Sequence, residues 1–375
     1  MVGVNNQTFT TIPTLDLSLA DSPRSKRLLL SELRNALVVV GFFYLTSTER
    51  WIKPETKSRF VEKSIEVCNM PMEKKLEIDM INSKHFLGYS RMGCERTARK
   101  IDHREMFDFL SPLPAPGPDD PVYLNVQGPN QWPDSQTVPG FREALETYLA
   151  EVGELGHFMR DLVAEALELD PGNLASFFND PPRNKVSLLK YPEPDPTTEC
   201  QGVGSHKDGG FLTYLLQATP HAGLEAQNKK GEWIAVPPRP DALVVNVGRS
   251  LEAITHGVCT ATTHRVNLHP SHFEDPTATA RSLGPRYSFP VFQTLKLDLS
   301  TEKLLSLRLP AHVARLVADE HVKSDAEAYF ATYHRQNPGI GIFTARLTSH
   351  PDVGRRWYPE IAAQVLKGQA AFGGV

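Results

Sequence analysis

The stretch Gly204-Ser205-His206-Lys207-Asp208-Gly209-Gly210 sets an imidazole and a carboxylate two residues apart, then enters the apolar run 211–217. Two ligands at that spacing can share one metal ion, and His264, in Thr262-Thr263-His264-Arg265-Val266, offers a third. Two imidazoles and one carboxylate on one face leave coordination positions open, as in a non-haem Fe(II) centre that activates O2.

Spacing alone does not select this pair. His103-x-Glu105, His272-x-Glu274 and His350-x-Asp352 have the same form, in a chain with 13 His among 375 residues. Context separates them. Asp102-His103-Arg104-Glu105 is a charged run that reads as solvated, His350-Pro351-Asp352 reads as a proline-opened turn, and His272-Phe273-Glu274 lies in a polar, Pro-flanked loop. Only His206-x-Asp208 stands at a Gly-rich turn entering a strand, with a second His-bearing strand and Arg286-Tyr287-Ser288 downstream. Residues two apart on a strand share a face, so Arg286 and Ser288 converge on one spot. A guanidinium there suits a carboxylate, because its fork donates two parallel hydrogen bonds. Tyr191 can add a phenol donor from the preceding strand. Phe211, directly after the pair, is a candidate substrate contact with a core aromatic as the competing role.

The elements that must position these groups change character along the chain. Residues 12–17 alternate as an edge strand, 28–40 carry a helical period, and 41–45 form a short buried strand. Helices are expected at 53–69 and 71–82, and a Pro-rich connector at 112–139. Phe141, Leu145, Tyr148, Val152, Leu155, Met159, Leu162, Ala166 and Leu169 step by three or four, the stripe of a long support helix. From 186 onward short strands follow one another between Gly, Pro, Asn and Asp turns: 186–191, 211–217, 223–226, 233–236, 243–247, 262–268 and 287–292. Asn228-Lys229-Lys230-Gly231 reads as a hairpin loop. That succession implies an antiparallel jelly roll in an α+β chain. Helices return at 311–318 and 325–334, then an extended piece at 340–348 and a terminal helix near 359–366.

Ile12-Pro13-x-Leu15-Asp16, Gly41-Phe42-Phe43, Tyr191-Pro192, His206-x-Asp208-x-Gly210-x-x-Thr213, His264-Arg265-Val266 and Arg286-Tyr287-Ser288 follow in an order that resembles the isopenicillin N synthase-like superfamily. These are Fe(II)/2-oxoglutarate oxygenases, the flavonoid-pathway dioxygenases among them, and the resemblance spans from about residue 10 to beyond 355. It implies a double-stranded β-helix core, iron on His206, Asp208 and His264, and 2-oxoglutarate held through its distal carboxylate by Arg286 and Ser288, with Tyr191 as a further contact. It implies one oxygenase domain over 1–375, with an N-terminal region at 1–140 and the support helix, core and C-terminal helices at 141–375. It also places Tyr89, Met92 and Phe107 in a region that borders the substrate pocket in relatives. Two features depart from the family pattern. Arg286 follows His264 by 22 residues rather than about ten, which lengthens the loop 267–285, and a single aromatic, Tyr191, precedes the metal loop.

The implied reaction hydroxylates, desaturates or cyclises a small natural-product intermediate with release of succinate and CO2. Two alternatives stand beside it: an iron oxidase of isopenicillin N synthase type that consumes no 2-oxoglutarate, and a non-catalytic binding protein on the same scaffold. A net charge of −4 with scattered Lys and Arg offers no field for nucleic acid. No apolar run nears the ~18 residues of a membrane span. Four widely spaced cysteines without a Cys-x-x-Cys pair fit a reducing cytoplasm. The expected partner is a small molecule, and the expected state a monomer or weak homo-oligomer.

Overall fold

The computed structural model describes residues 8–97, 100–195, 200–275, 282–316 and 337–372. Its first helix, α1 (Pro23–Asn35), begins where the Ser22 hydroxyl accepts from the Ser25 amide at 3.2 Å, with Pro23 in the first turn. The helix widens into a fully buried π turn (Ala36–Val40). Gly41 ends it at φ 68°, and a Cβ there would run into the Thr260 carbonyl, so only glycine fits. The chain then enters strand β2 (Phe42–Thr46), which pairs in parallel with β1 (Thr14–Asp16) at the sheet edge.

Helices α2 (Pro54–Cys68) and α3 (Met72–Glu77) lead to strands β3 (Gly88–Ser90), β4 (Arg96–Thr97), β5 (Lys100–Ile101) and β6 (Glu105–Leu110). The long helix α4 (Phe141–Ala166) buries the apolar stripe read from the sequence. Phe60 of α2 stacks on Tyr148 of α4 at 4.0 Å and meets Phe289 edge-on at 5.5 Å. Those rings fasten both helices to the sheet behind them.

The strands β7 (Asn184–Tyr191), β8 (Cys200–His206), β9 (Leu212–Gln217), β10 (Leu224–Gln227), β11 (Trp233–Ala235), β12 (Leu243–Val247), β13 (His264–Leu268) and β14 (Arg286–Gln293) complete two sheets. The larger runs β1-β2-β12-β9-β14-β7-β6-β3 and the smaller β11-β10-β13-β8. Side chains from both sheets face one cavity, which is the double-stranded β-helix of an α+β protein. The loop 228–231 does join β10 to β11 as a hairpin.

Three expectations are corrected. Residues 340–348 are not extended but lie in helix α6 (Pro338–Ser349), which Asn337 caps by accepting from the Ile340 amide at 2.9 Å. Pro338 in the first turn and that cap outweigh the β-branched texture. The run 102–105 is not solvated: Asp102 is 0 % exposed, and Glu105 is 7 % exposed with both oxygens on the Lys75 amine. His350, read as part of a turn, is buried at the end of α6 beside Glu95. The helix expected at 325–334 lies outside the described residues, as does the middle of the loop 267–285.

Candidate active site

His206 closes β8, and His264 opens β13. The two are register partners across the antiparallel pair, which sets their rings side by side with centroids 4.3 Å apart. Asp208 sits just past β8 in a turn laced to helix α5 (Arg249–Ile254). The Arg249 amide donates to the Asp208 carbonyl at 2.7 Å, and the Ser250 hydroxyl to the Gly209 carbonyl at 2.7 Å. The Gly-rich turn does enter a strand, β9, as its sequence context suggested, and His206 also closes β8, which the sequence reading did not include.

One ligand atom from each of His206, Asp208 and His264 falls within 4.8 Å of the others. Each imidazole is oriented by its Nδ1, facing the Gly204 carbonyl at 2.8 Å in His206 and the Thr262 carbonyl at 3.1 Å in His264. With Nδ1–H donating, Nε2 keeps a lone pair for a metal. Asp208 Oδ2 accepts from the Thr213 hydroxyl at 2.6 Å and from Asn246 Nδ2 at 2.8 Å. Oδ1 instead faces both Nε2 atoms, at 3.7 and 3.8 Å.

Burial would raise the Asp208 pKa, but the two imidazoles and the hydrogen bonds from Thr213 and Asn246 outweigh it and hold the carboxyl below its usual range. Burial and the neighbouring His264 push His206 down. A carboxylate with two imidazoles that each turn Nε2 inward is the donor set a divalent iron needs, so these residues fit the ion.

A cavity of about 60 Å³ lies between the sheets, lined by the three ligands and by Tyr191, Arg286 and Ser288. Arg286 is 1 % exposed, and only its Nη2 finds an acceptor, Gln217 Oε1 at 3.3 Å. Its Nε and Nη1 are buried without a partner. Tyr191, its register partner on β7, places its ring 5.0 Å from the guanidinium carbon. Burial pulls the Arg286 pKa down. A buried guanidinium with two unpartnered donors beside a metal-competent triad fits a dicarboxylate co-substrate.

Sequence reasoning missed three groups. Thr213 stood in the motif without a role. Asn246 reads as a strand-end signal, yet it is the register partner of Thr213 and shares its acceptor. Arg104, taken for a solvated charge, lines the triad cavity and donates to Glu95 at 2.8 Å.

The four aromatic and sulfur candidates fare differently from the triad. Phe211 is fully buried with its ring edge-on to Phe178 at 4.9 Å. Tyr89 donates to Glu105 at 2.7 Å and packs on Phe107, while Met92 is 44 % exposed. None of them lines the triad cavity. Each has a packing or surface position that accounts for it.

Residues 12–135 match the family described as non-haem dioxygenase in morphine synthesis, N-terminal, and residues 183–294 match the 2OG-Fe(II) oxygenase superfamily. The chain is 42% identical over 366 residues to a 2-oxoglutarate-dependent dioxygenase of Gibberella zeae, covering 96% of this chain and 95% of that one. It is 31% identical to clavatol oxidase claD of Penicillium crustosum, over 80% of this chain and 90% of the relative. Among solved structures, a putative 2OG-Fe(II) oxygenase family protein from Caulobacter crescentus superposes with a TM-score of 0.63 at 24% identity, covering 80% of this chain and 93% of that one. That likeness bears on the fold.

Proposed function

The chain belongs to the 2OG-Fe(II) oxygenase superfamily, and from that premise we propose that His206, Asp208 and His264 hold the iron while Arg286 and Ser288 take the distal carboxylate of 2-oxoglutarate. The protein is an Fe(II)- and 2-oxoglutarate-dependent dioxygenase acting on a small-molecule natural-product intermediate. An oxidase that spares 2-oxoglutarate and a non-catalytic scaffold are both disfavoured by those relatives. We read residues 1–375 as one oxygenase domain, since β1, β2, β3 and β6 from the first 110 residues extend the same sheet as β7, β9, β12 and β14.

The observation that carries the site assignment is the pair of buried, unpartnered donors on Arg286. When bound, iron with 2-oxoglutarate and O2 supplies the oxidising power for C–H oxidation, with succinate and CO2 as co-products. The chain's residues do the rest. Thr213 and Asn246 hold one Asp208 oxygen so that the other faces the metal position. Tyr191 stacks against the Arg286 guanidinium and keeps its fork aimed into the cavity. The two sheets flank the reacting centre and fix its position.

The test is stoichiometric. Purified protein given Fe(II), 2-oxoglutarate and substrate is expected to form one succinate per substrate oxidised, and His206→Ala is expected to form none. Full substrate turnover without succinate would sink the reading. No helix among the described residues is long and apolar enough to cross a membrane.

A further inference from the structure

A second cavity, of about 230 Å³, opens beside the turn that carries Asp208, and Phe292 lines both this cavity and the one at the triad. Gly209 and Gly210, the two residues that follow Asp208 in the chain, form part of its wall. Leu87, Leu110 and Ile342 make its surface largely apolar. Into that apolar space face three cations, Arg183, Lys185 and Arg346. Burying like charges together is costly unless each is compensated.

Asp108 compensates part of the excess. It is 0 % exposed and accepts from the Lys185 amine at 3.0 Å, from Arg346 Nη2 at 2.6 Å and from the Ser187 hydroxyl. Glu95, to which Arg104 donates at 2.8 Å, adds a second negative charge that acts on Arg346 and Lys185. His85, also on the wall, faces the Asn125 carbonyl through Nδ1 and is held toward its neutral form by burial.

Arg183 remains. It is 4 % exposed, donates Nη1 to Thr294 Oγ1 at 3.0 Å and Nη2 to the Val126 carbonyl at 2.7 Å, and leaves Nε without a partner. Both acceptors are neutral, and no carboxylate among the described residues forms an ion pair with it. With Lys185 and Arg346 met by Asp108 and Glu95, the charge left open on the cavity wall is that of Arg183. Burial and the nearby Arg346 pull Arg183 down to about 10, and burial pulls Lys185 down to about 8.

Resting on the oxygenase reading above, we propose that this cavity is the site of the organic substrate, and that it selects a small monocarboxylic acid whose carboxylate meets Arg183 and whose apolar body lies along Leu110, Ile342 and Phe292. A dry cavity of about 150 Å³ accepts benzene, so this one has room for a substituted ring or a chain of similar bulk. The carboxylate neutralises a buried charge that the protein leaves open, and a neutral analogue of the same shape leaves that charge open. The discrimination is therefore electrostatic rather than steric.

The experiment is calorimetric titration, under nitrogen, of the full chain loaded with Fe(II) and 2-oxoglutarate. The probes are benzoate, phenylacetate, 3-phenylpropanoate and hexanoate, each against its carboxamide. At least one acid is expected to bind about tenfold or more tightly than its amide. Arg183→Gln is expected to bring acid and amide together while leaving 2-oxoglutarate affinity within about twofold of the parent. Arg183→Lys keeps the charge but gives up the bonds to Val126 and Thr294, so it separates charge from scaffold: it should retain the preference for the acid. Equal binding of acids and amides, no binding of any acid, or equal loss of the preference in both variants would overturn the proposal. Failure of wild-type protein to bind 2-oxoglutarate in the loading step would instead count against the oxygenase site itself.

Discussion

Asp208 uses its two oxygens for different purposes, and that division governs what its neighbours contribute. Oδ2 is occupied by Thr213 and Asn246, whereas Oδ1 points at the two imidazole Nε2 atoms. Removing either donor frees the carboxylate to rotate and weakens its orientation toward the metal. Asn246→Ala is expected to lower Fe(II) affinity by about 10- to 100-fold with the fold intact, while Asp208→Ala abolishes it; anaerobic metal titration followed by circular dichroism reads both. An Asn246→Ala protein with unchanged metal affinity would show that Thr213 alone orients the carboxylate. Arg286→Ala is expected to raise the 2-oxoglutarate requirement far more than the Fe(II) requirement, because the lost fork is the proposed anchor of the co-substrate and not one of the proposed metal ligands. Equal shifts in both would point to general damage. That His206, Asp208, His264 and Arg286 gather at one cavity could be anticipated from the sequence because chemistry-bearing side chains stood at fixed offsets in a recognisable order. Asn246 was not, since an asparagine before Val247-Gly248 looks like turn punctuation, and only the register with Thr213 gives it an acceptor. Arg104 was hidden for the opposite reason: a run of alternating charges looks solvated until Glu95 and Asp102 are seen closing around it.

Between residue and molecule, the helices matter as braces for the sheet that carries Arg286. Phe60 is fully buried, its ring parallel to that of Tyr148 at an interplanar angle of 6° and edge-on to Phe289. Phe289 lies on β14, one residue beyond Ser288, so α2 and α4 press on the back of the strand whose front carries the proposed co-substrate anchor. Phe60→Ala is expected to cost about 3–5 kcal/mol in chemical denaturation, the usual range for emptying a core aromatic site. A loss under about 1 kcal/mol would mean that the two helices collapse to fill the space. Element types followed the sequence wherever period and punctuation agreed: the α4 stripe, the strand 243–247 and the hairpin at 228–231 are examples. They failed at 340–348, where Ile340, Ile342, Phe343 and Thr344 suggested a strand. The decisive signals were the Asn337 cap and Pro338, two residues that set the backbone before the β-branched run begins.

Across the whole molecule, buried ionisable groups tie distant segments together and set how stability depends on pH. Asp108 of β6 is held by Lys185 of β7 and by Arg346 of α6, and Glu105 by Lys75 of α3. Burial pushes Asp108, Glu95 and Glu105 up, yet their cationic and hydrogen-bonding partners outweigh it, so all three sit below their ordinary values of 3.8 for Asp and 4.5 for Glu. Carboxyls of this kind stabilise the fold above those ordinary values, and the contribution is lost as pH falls through the depressed folded ones. His85, His221 and His350 act in the same direction at higher pH. Burial holds each below the ordinary 6.5, so the unfolded chain takes up protons first as pH drops past that point. Thermal unfolding of the metal-free protein is therefore expected to show two stages of acid destabilisation. A shallow fall in Tm should begin near pH 6.5 as histidines charge in the unfolded chain, and a steeper one below about pH 4.5 as carboxyls follow. Removing the metal matters, because ligand protonation would otherwise add a pH dependence of its own. Asp108→Asn should lower Tm at pH 7, since Lys185 and Arg346 lose their shared anion, and should flatten the lower stage, since the group that titrates is gone. A Tm that stays level from pH 7 to pH 4, or an Asp108→Asn profile parallel to the parent's, would mean that these buried pairs hold position without governing stability.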